Sequence, residues 1–135
     1  IPDFAAQIAN IEAGLQDPVI RVGNLGARRD FCDVRDVVQA YCAIMEQGQI
    51  GRIYNIASGQ AVEIQSILDQ LLSLSTVPIQ VTIDQHKLRP VDVPMIYSSI
   101  SRIQAETGWL PQIKLHDTLK DTLEFWRMQV KKEKQ

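Results

Sequence analysis

The chain has 135 residues, 45% of them hydrophobic and 22% charged, the length and composition of one soluble globular domain. A formal net charge of -2 gives no overall positive field for nucleic acid or an anionic membrane, so neither is expected as a partner and any anion site must be local. No apolar run approaches the roughly 20 residues that span a bilayer. Cys32 and Cys42 lie too close along the chain for a disulfide framework, and no signal-peptide pattern is visible, which points to a reducing, cytoplasmic setting. A start at Ile1-Pro2-Asp3, directly at a helix and without methionine, reads as a piece cut from something longer.

Pro2, Asp3 and the helical spacing of Phe4, Ala5, Ile8, Ile11 and Leu15 predict a first helix ending near Gly14. The short β-branched run Val19 to Gly23 predicts a strand, and Asn24 to Gly26 a turn. Asp33 is placed to cap a helix whose apolar face uses Val34, Val37, Val38, Tyr41, Ile44 and Met45, with Gly48 and Gly51 ending it. Residues 52–57 then read as a buried strand, so 33–57 forms half of a βαβ crossover and the fold class is α/β. A helix over Ile64 to Leu72, an alternating strand Ile79, Val81, Ile83, a polar linker 84–87 and a short strand at Met95 to Tyr97 follow. Ser99 or Ser101 is placed to cap a helix that stops at Gly108, and a last helix runs from Leu115 toward a cationic Lys131-Lys132 end.

Catalytic and metal signatures are few. Gly23 and Gly26 form no dinucleotide fingerprint, and His86 and His116 have no ligand spacing to the cysteines, so no metal site is expected and both histidines read as surface residues. Cys42, Met45 and Met95 read as packing residues, as do Trp109 and Trp126. Two arginine turns stand out: Arg28-Arg29-Asp30-Phe31 between a strand and a helix, and Leu88-Arg89-Pro90-Val91-Asp92-Val93-Pro94, bracketed by prolines; both are read as loops. Guanidinium groups converging from two such loops suit a diphosphate, with Asp92 orienting Arg89 or accepting a sugar hydroxyl. The plainer alternative pairs Arg29 with Asp30 or Asp33, and Arg89 with Asp92, as solvated ion pairs of little energy.

The ordered series Gly23-Asn24-Leu25, Arg29-Asp30-Phe31, Asp33 to Val38, Tyr54 to Gly59, Leu88 to Pro94 and Thr107-Gly108-Trp109-Leu110-Pro111 covers nearly the whole chain. It resembles the extended short-chain dehydrogenase/reductase (NAD-dependent epimerase/dehydratase) family, within it the GDP-mannose 4,6-dehydratase group and its GDP-6-deoxy-mannose reductase relative. The resemblance implies a carboxyl-terminal substrate-binding lobe (about 1–28 and 60–130), with 33–57 returning to a Rossmann-type parallel sheet. It implies that Arg29 and Arg89 grip the diphosphate of a nucleotide sugar, GDP-linked in preference, and that Asp92 stands near the ribose. NAD or NADP and the Tyr-x-x-x-Lys pair would belong to a missing amino-terminal Rossmann part, so no catalytic or cofactor-binding residue is expected here and 1–135 alone should be inactive. The intact enzyme is expected to be a homo-oligomer. The sequence departs from the family pattern at Gly26, Cys32 and Ser99. The competing readings are a UDP- or dTDP-sugar epimerase or dehydratase, for which the same arginine turns would serve, and a noncatalytic sugar-nucleotide binding module.

Overall fold

The computed structural model describes residues 1–87 and 93–133. In chain order it holds α1 (Pro2–Glu12), β1 (Val19–Val22), β2 (Arg28–Asp30), α2 (Val34–Gln47), β3 (Ala61–Glu63), α3 (Ile64–Ser73), β4 (Gln80–Ile83), a 3-10 turn at Gln85–Lys87, β5 (Met95–Ile96), α4 (Ser101–Thr107) and α5 (Leu115–Glu133). These elements form two units. The first takes Ile1–Ala27, Glu63–Val93 and His116–Gln135; the second takes Arg28–Val62 and Pro94–Leu115.

In the first unit β1 pairs in parallel with β4, Val19 opposite Gln80 and Val22 opposite Ile83. Parallel strands need a long connection rather than a hairpin, and α3 lies on that connection. Ile8 from α1, Ile20 and Val22 from β1, Ile67, Leu68 and Leu71 from α3, and Leu119 and Leu123 from α5 are fully buried. Removing such aliphatic side chains from water is the main stabilising term here, about 1.5–3 kcal/mol each. β4 is the alternating strand expected around Val81 and Ile83, but it is exposed at every position, so the alternation marks no buried face in this chain. Its backbone is held by β1 while its side chains stay in solvent.

Arg127 of α5 closes this unit against α1. Its Nε and Nη2 donate to Glu12 Oε2 and Oε1 at 2.6 Å each, and Nη2 also reaches the Leu74 carbonyl at 2.9 Å. The Thr76 backbone N–H donates to the same Glu12 carboxylate at 2.9 Å. The side chains are 20% and 10% exposed for Arg127 and Glu12, so the pair is partly desolvated and bidentate, the geometry in which an ion pair contributes most.

The second unit is organised by a sheet of order β3-β2-β5. β2 and β5 run parallel, Arg28 opposite Met95 and Arg29 opposite Ile96, and the Arg28 N–H donates to the Pro94 carbonyl at 2.8 Å. Arg28–Asp30 is therefore a strand and not a loop as the sequence suggested: its polar composition hides the tendency, and pairing supplies the conformation. Ala40, Ile103 and Trp109 form the core, flanked by Cys32, Ala43, Ile44, Tyr54, Ile56 and Ile100.

Helix α2 begins where expected, with the Asp33 side chain accepting the Arg35 N–H, but its buried residues are Asp36 and Ala40. The predicted apolar face is instead solvent-exposed at Val34, Val38, Tyr41 and Met45, and Cys42 and Met95 are exposed as well. Asp36 lies inside because its carboxylate accepts the Gln112 and Ile113 N–H groups at 3.1 and 2.9 Å, while its carbonyl accepts Trp109 Nε1–H at 3.1 Å. Residues 52–57 form no strand ladder among the described residues. Arg102 Nη1 donates to the Ile53 carbonyl, and Asn55 Nδ2 donates to the Ser99 carbonyl. The N-cap position of α4 is Ile100, with no side-chain cap bond, but the Ser99 hydroxyl one residue earlier accepts the N–H of Ser101, the first helical residue, at 3.4 Å. The two serine hydroxyls also bond to each other. The predicted stop at Gly108 is present, in the left-handed conformation.

Burial pushes the Glu12 carboxyl up, but the bonds from Arg127 and Thr76 and the Arg127 charge outweigh it and hold the group below its ordinary 4.5. A depressed native pKa stabilises the fold above the unfolded value and loses that contribution as pH falls through the native one. Glu12→Ala is expected to cost about 3 kcal/mol at neutral pH, by leaving Arg127 without its main partner. Urea unfolding of the chain between pH 6 and 3 should show the wild type converging on the variant only below pH 4.5.

Candidate functional site

Arg29 sits in the centre of β2, with partly buried surroundings, and its Nη1 donates to the Arg28 carbonyl at 2.8 Å. Arg28 turns its Nη2 to the Ala61 carbonyl at 3.1 Å, tying β2 to β3. Of the predicted substrate-binding residues, Arg89 and Asp92 lie outside the described residues. Arg89 precedes β5 by six positions in sequence, and β5 is the parallel neighbour of β2.

Three carboxylates follow Arg29 at intervals of three, and each is engaged by backbone donors. Asp30 Oδ1 accepts the Ser58 N–H at 2.7 Å and the Ser58 hydroxyl at 2.6 Å. Its Oδ2 accepts the Gly59 N–H at 3.0 Å and the Ser98 N–H at 3.5 Å. Asp33 caps α2 and also takes Nε and Nη2 of Arg35 at 2.9 and 2.8 Å. Asp36 holds the Gln112–Ile113 backbone. The Asp33 cap was visible locally, but the Asp30 bonds were not, since Ser58 and Ser98 are 28 and 68 residues from Asp30. The pattern Asp-x-x-Asp-x-x-Asp was the available signal.

Gly59, which completes the turn at Asp30, has φ +76, a conformation that a side chain at that position would strain. Gly23 has a different role from phosphate binding. A Cβ there would lie 2.5 Å from the Lys87 carbonyl oxygen, so glycine permits a close approach of two backbone segments. Ser58 borders a cleft of about 320 Å³ with Phe31, Gln60, Val62 and Lys114. In the first unit, a cleft of about 450 Å³ is bounded by Glu12 and Arg127, whose charges are already satisfied by one another.

His86 and His116 are exposed, as expected. Among the described residues no group of three His, Cys, Asp or Glu is placed to hold a metal ion, and no helix is long and apolar enough to cross a membrane. Trp109 is the packing anchor that the sequence suggested, 7% exposed in the core of its unit. Cys32 is half-buried beside the three aspartates. Burial first, and then the charges of Asp36, Asp30 and Asp33, push its thiol up to about 11. At pH 8 only about one part in a thousand is thiolate, the reactive form. Maleimide treatment of the folded chain at pH 8 should therefore give a single adduct, on the exposed Cys42, by peptide mass mapping; denaturation should expose the second thiol.

Comparison with known proteins follows the same line. The family model described as GDP-mannose 4,6 dehydratase matches residues 2–122. The chain is 32% identical over 133 residues to GDP-6-deoxy-D-mannose reductase of Pseudomonas aeruginosa, covering 98% of this chain and 44% of that protein. It is 31% identical over 107 residues to probable UDP-arabinose 4-epimerase 1 of Oryza sativa subsp. japonica, covering 76% and 24%. The solved structure of RMD from Pseudomonas aeruginosa complexed with NADPH superimposes with a TM-score of 0.88 at 31% identity, over 95% of this chain and 42% of that one. The chain thus spans less than half the length of these relatives, and its α/β architecture with parallel strands is a portion of the Rossmann-type fold they share. With a matching family model over nearly its whole length and a relative of this similarity, the chain belongs to the GDP-mannose 4,6-dehydratase family of extended short-chain dehydrogenase/reductases.

Proposed function

We propose that this chain is the nucleotide-sugar-binding part of an NAD(P)-dependent dehydratase or reductase acting on a GDP-linked sugar, with Arg29 and Arg89 holding the diphosphate and Asp92 near the ribose. The single observation that carries the reading is the parallel pairing of β2 with β5. Parallel strands enter their sheet from the same end. Arg89 precedes β5 by six positions in sequence, and Arg29 lies on β2, the parallel neighbour of β5. Guanidinium groups are fixed forks of N–H donors that match diphosphate oxygens and neutralise their charge. The preference for GDP is supported by the family match and the reductase relative. UDP is the second candidate, since a relative 31% identical is named a UDP-arabinose epimerase.

The residues present do not fit a dinucleotide. Gly23 serves a backbone contact, the sequence has no glycine-rich fingerprint, and neither Tyr54 nor Tyr97 is followed by lysine four positions on. NAD or NADP, and the hydride exchange it supplies, are accordingly assigned to another part of the enzyme. This chain's part is to bind and orient: a substrate held by its diphosphate presents its sugar in a fixed geometry, and such positioning is a large share of rate enhancement in two-substrate chemistry.

Calorimetry on the full-length protein tests the reading. Arg29→Ala and Arg89→Ala should each weaken GDP binding by about 10- to 100-fold, the equivalent of a lost charge-assisted bond of about 1.5–3 kcal/mol. GDP should bind more tightly than UDP. Unchanged affinity in both well-folded variants would remove the diphosphate role, whereas tighter binding of UDP would keep the clamp and change the base.

A further inference from the structure

Asp30 adjoins Arg29 on β2, and successive strand residues project to opposite faces. On its face, Asp30 joins three separate stretches of chain through one carboxylate: β2 itself, the Ser58–Gly59 turn, and Ser98 just beyond β5. Both oxygens are occupied, Oδ1 by the Ser58 N–H and hydroxyl, Oδ2 by the Gly59 and Ser98 N–H groups. All the donors are held by the fold, three of them being backbone amides. A carboxylate can accept from all of them, whereas an amide side chain must turn an N–H against at least one donor. The guanidinium of Arg29 is in turn tied to its own strand by the bond from Nη1 to the Arg28 carbonyl. Any movement of residues 28–30 therefore moves the guanidinium with them.

We propose that Asp30 is the positioning residue for Arg29: by clamping β2 to the 58–59 turn and to the start of the segment after β5, it fixes the direction in which Arg29 meets an anionic ligand. The proposal rests on the diphosphate reading of Arg29. A guanidinium whose strand is already ordered loses less freedom on binding, so it contributes more to affinity than the same group on a mobile loop. Asp30 itself need not touch the ligand.

A double-mutant cycle in the full-length protein, read by GDP and guanosine calorimetry, separates this role from general support of the fold. Asp30→Asn should raise the GDP Kd about tenfold in the wild-type background and less than about twofold in the Arg29→Ala background, because the two residues act through one group. Guanosine, which lacks the diphosphate, should bind Asp30→Asn within about twofold of wild type. An equal loss with and without Arg29, a loss for guanosine as large as for GDP, or no loss at all would overturn the positioning role. If Arg29→Ala itself leaves GDP binding unchanged, the diphosphate reading fails first and the positioning role falls with it. Should Asp30→Asn not fold, Ser58→Ala, which removes the hydroxyl's bonds to Asp30 and Gln60 and keeps the backbone bond to Asp30, is read in the same cycle, with about a threefold loss expected and the same outcomes against it.

Discussion

A parallel pair of strands cannot be closed by a tight turn, and both described sheets contain one. That constraint shapes everything else in the chain. Between β1 and β4, and between β2 and β5, the backbone runs through helices, and along the way it passes from one unit to the other and back. Neither unit is a continuous stretch of sequence. For the same reason Arg29 on β2 and the proline-bracketed segment that precedes β5 in sequence are separated by a long stretch of chain, although the two strands are adjacent.

The helices were largely legible. Their apolar periodicity, Pro2, the Asp33 cap and the Gly108 stop are local signals, and each element they announced is present within a few residues. What periodicity could not supply was the identity of the partner. Val34, Val38, Tyr41 and Met45 do form a stripe on α2, yet the side that packs in this chain is the one with Asp36 and Ala40. The strand Arg28–Asp30 was hidden because its polar residues give no alternation, and the segment 52–57, with the right composition, has no ladder among the described residues. A strand is a property of a pair, and a pair separated by long sequence leaves little local trace. The same holds for the site. Arg29 could be singled out from its motif, but the bonds around Asp30 span 28 and 68 residues and became visible only with the fold.

The three aspartates show how one short stretch can serve several ends. Asp30 fastens a turn, Asp33 begins a helix and engages Arg35, and Asp36 fastens the loop after Trp109. Their bonds go largely to backbone N–H groups, which would otherwise be left without acceptors as the loops pack. Burial, with three negative charges added beside it, has a side effect, since it keeps the Cys32 thiol in its protonated, unreactive form. The site is thereby built next to a cysteine without acquiring cysteine chemistry.

The bond between Glu12 and Arg127 joins residues 115 positions apart, and this has a meaning for synthesis as well as for stability. At roughly 5–20 residues per second, a ribosome places Arg127 on the order of ten seconds after Glu12. During that interval α1 exists without the helix that closes its unit, and its apolar face, Ala5, Ile8, Ala9 and Ile11, has only the growing chain to cover it. Helix α1 is thus made well before it is secured, and its apolar face stays open to other contacts until α5 has emerged.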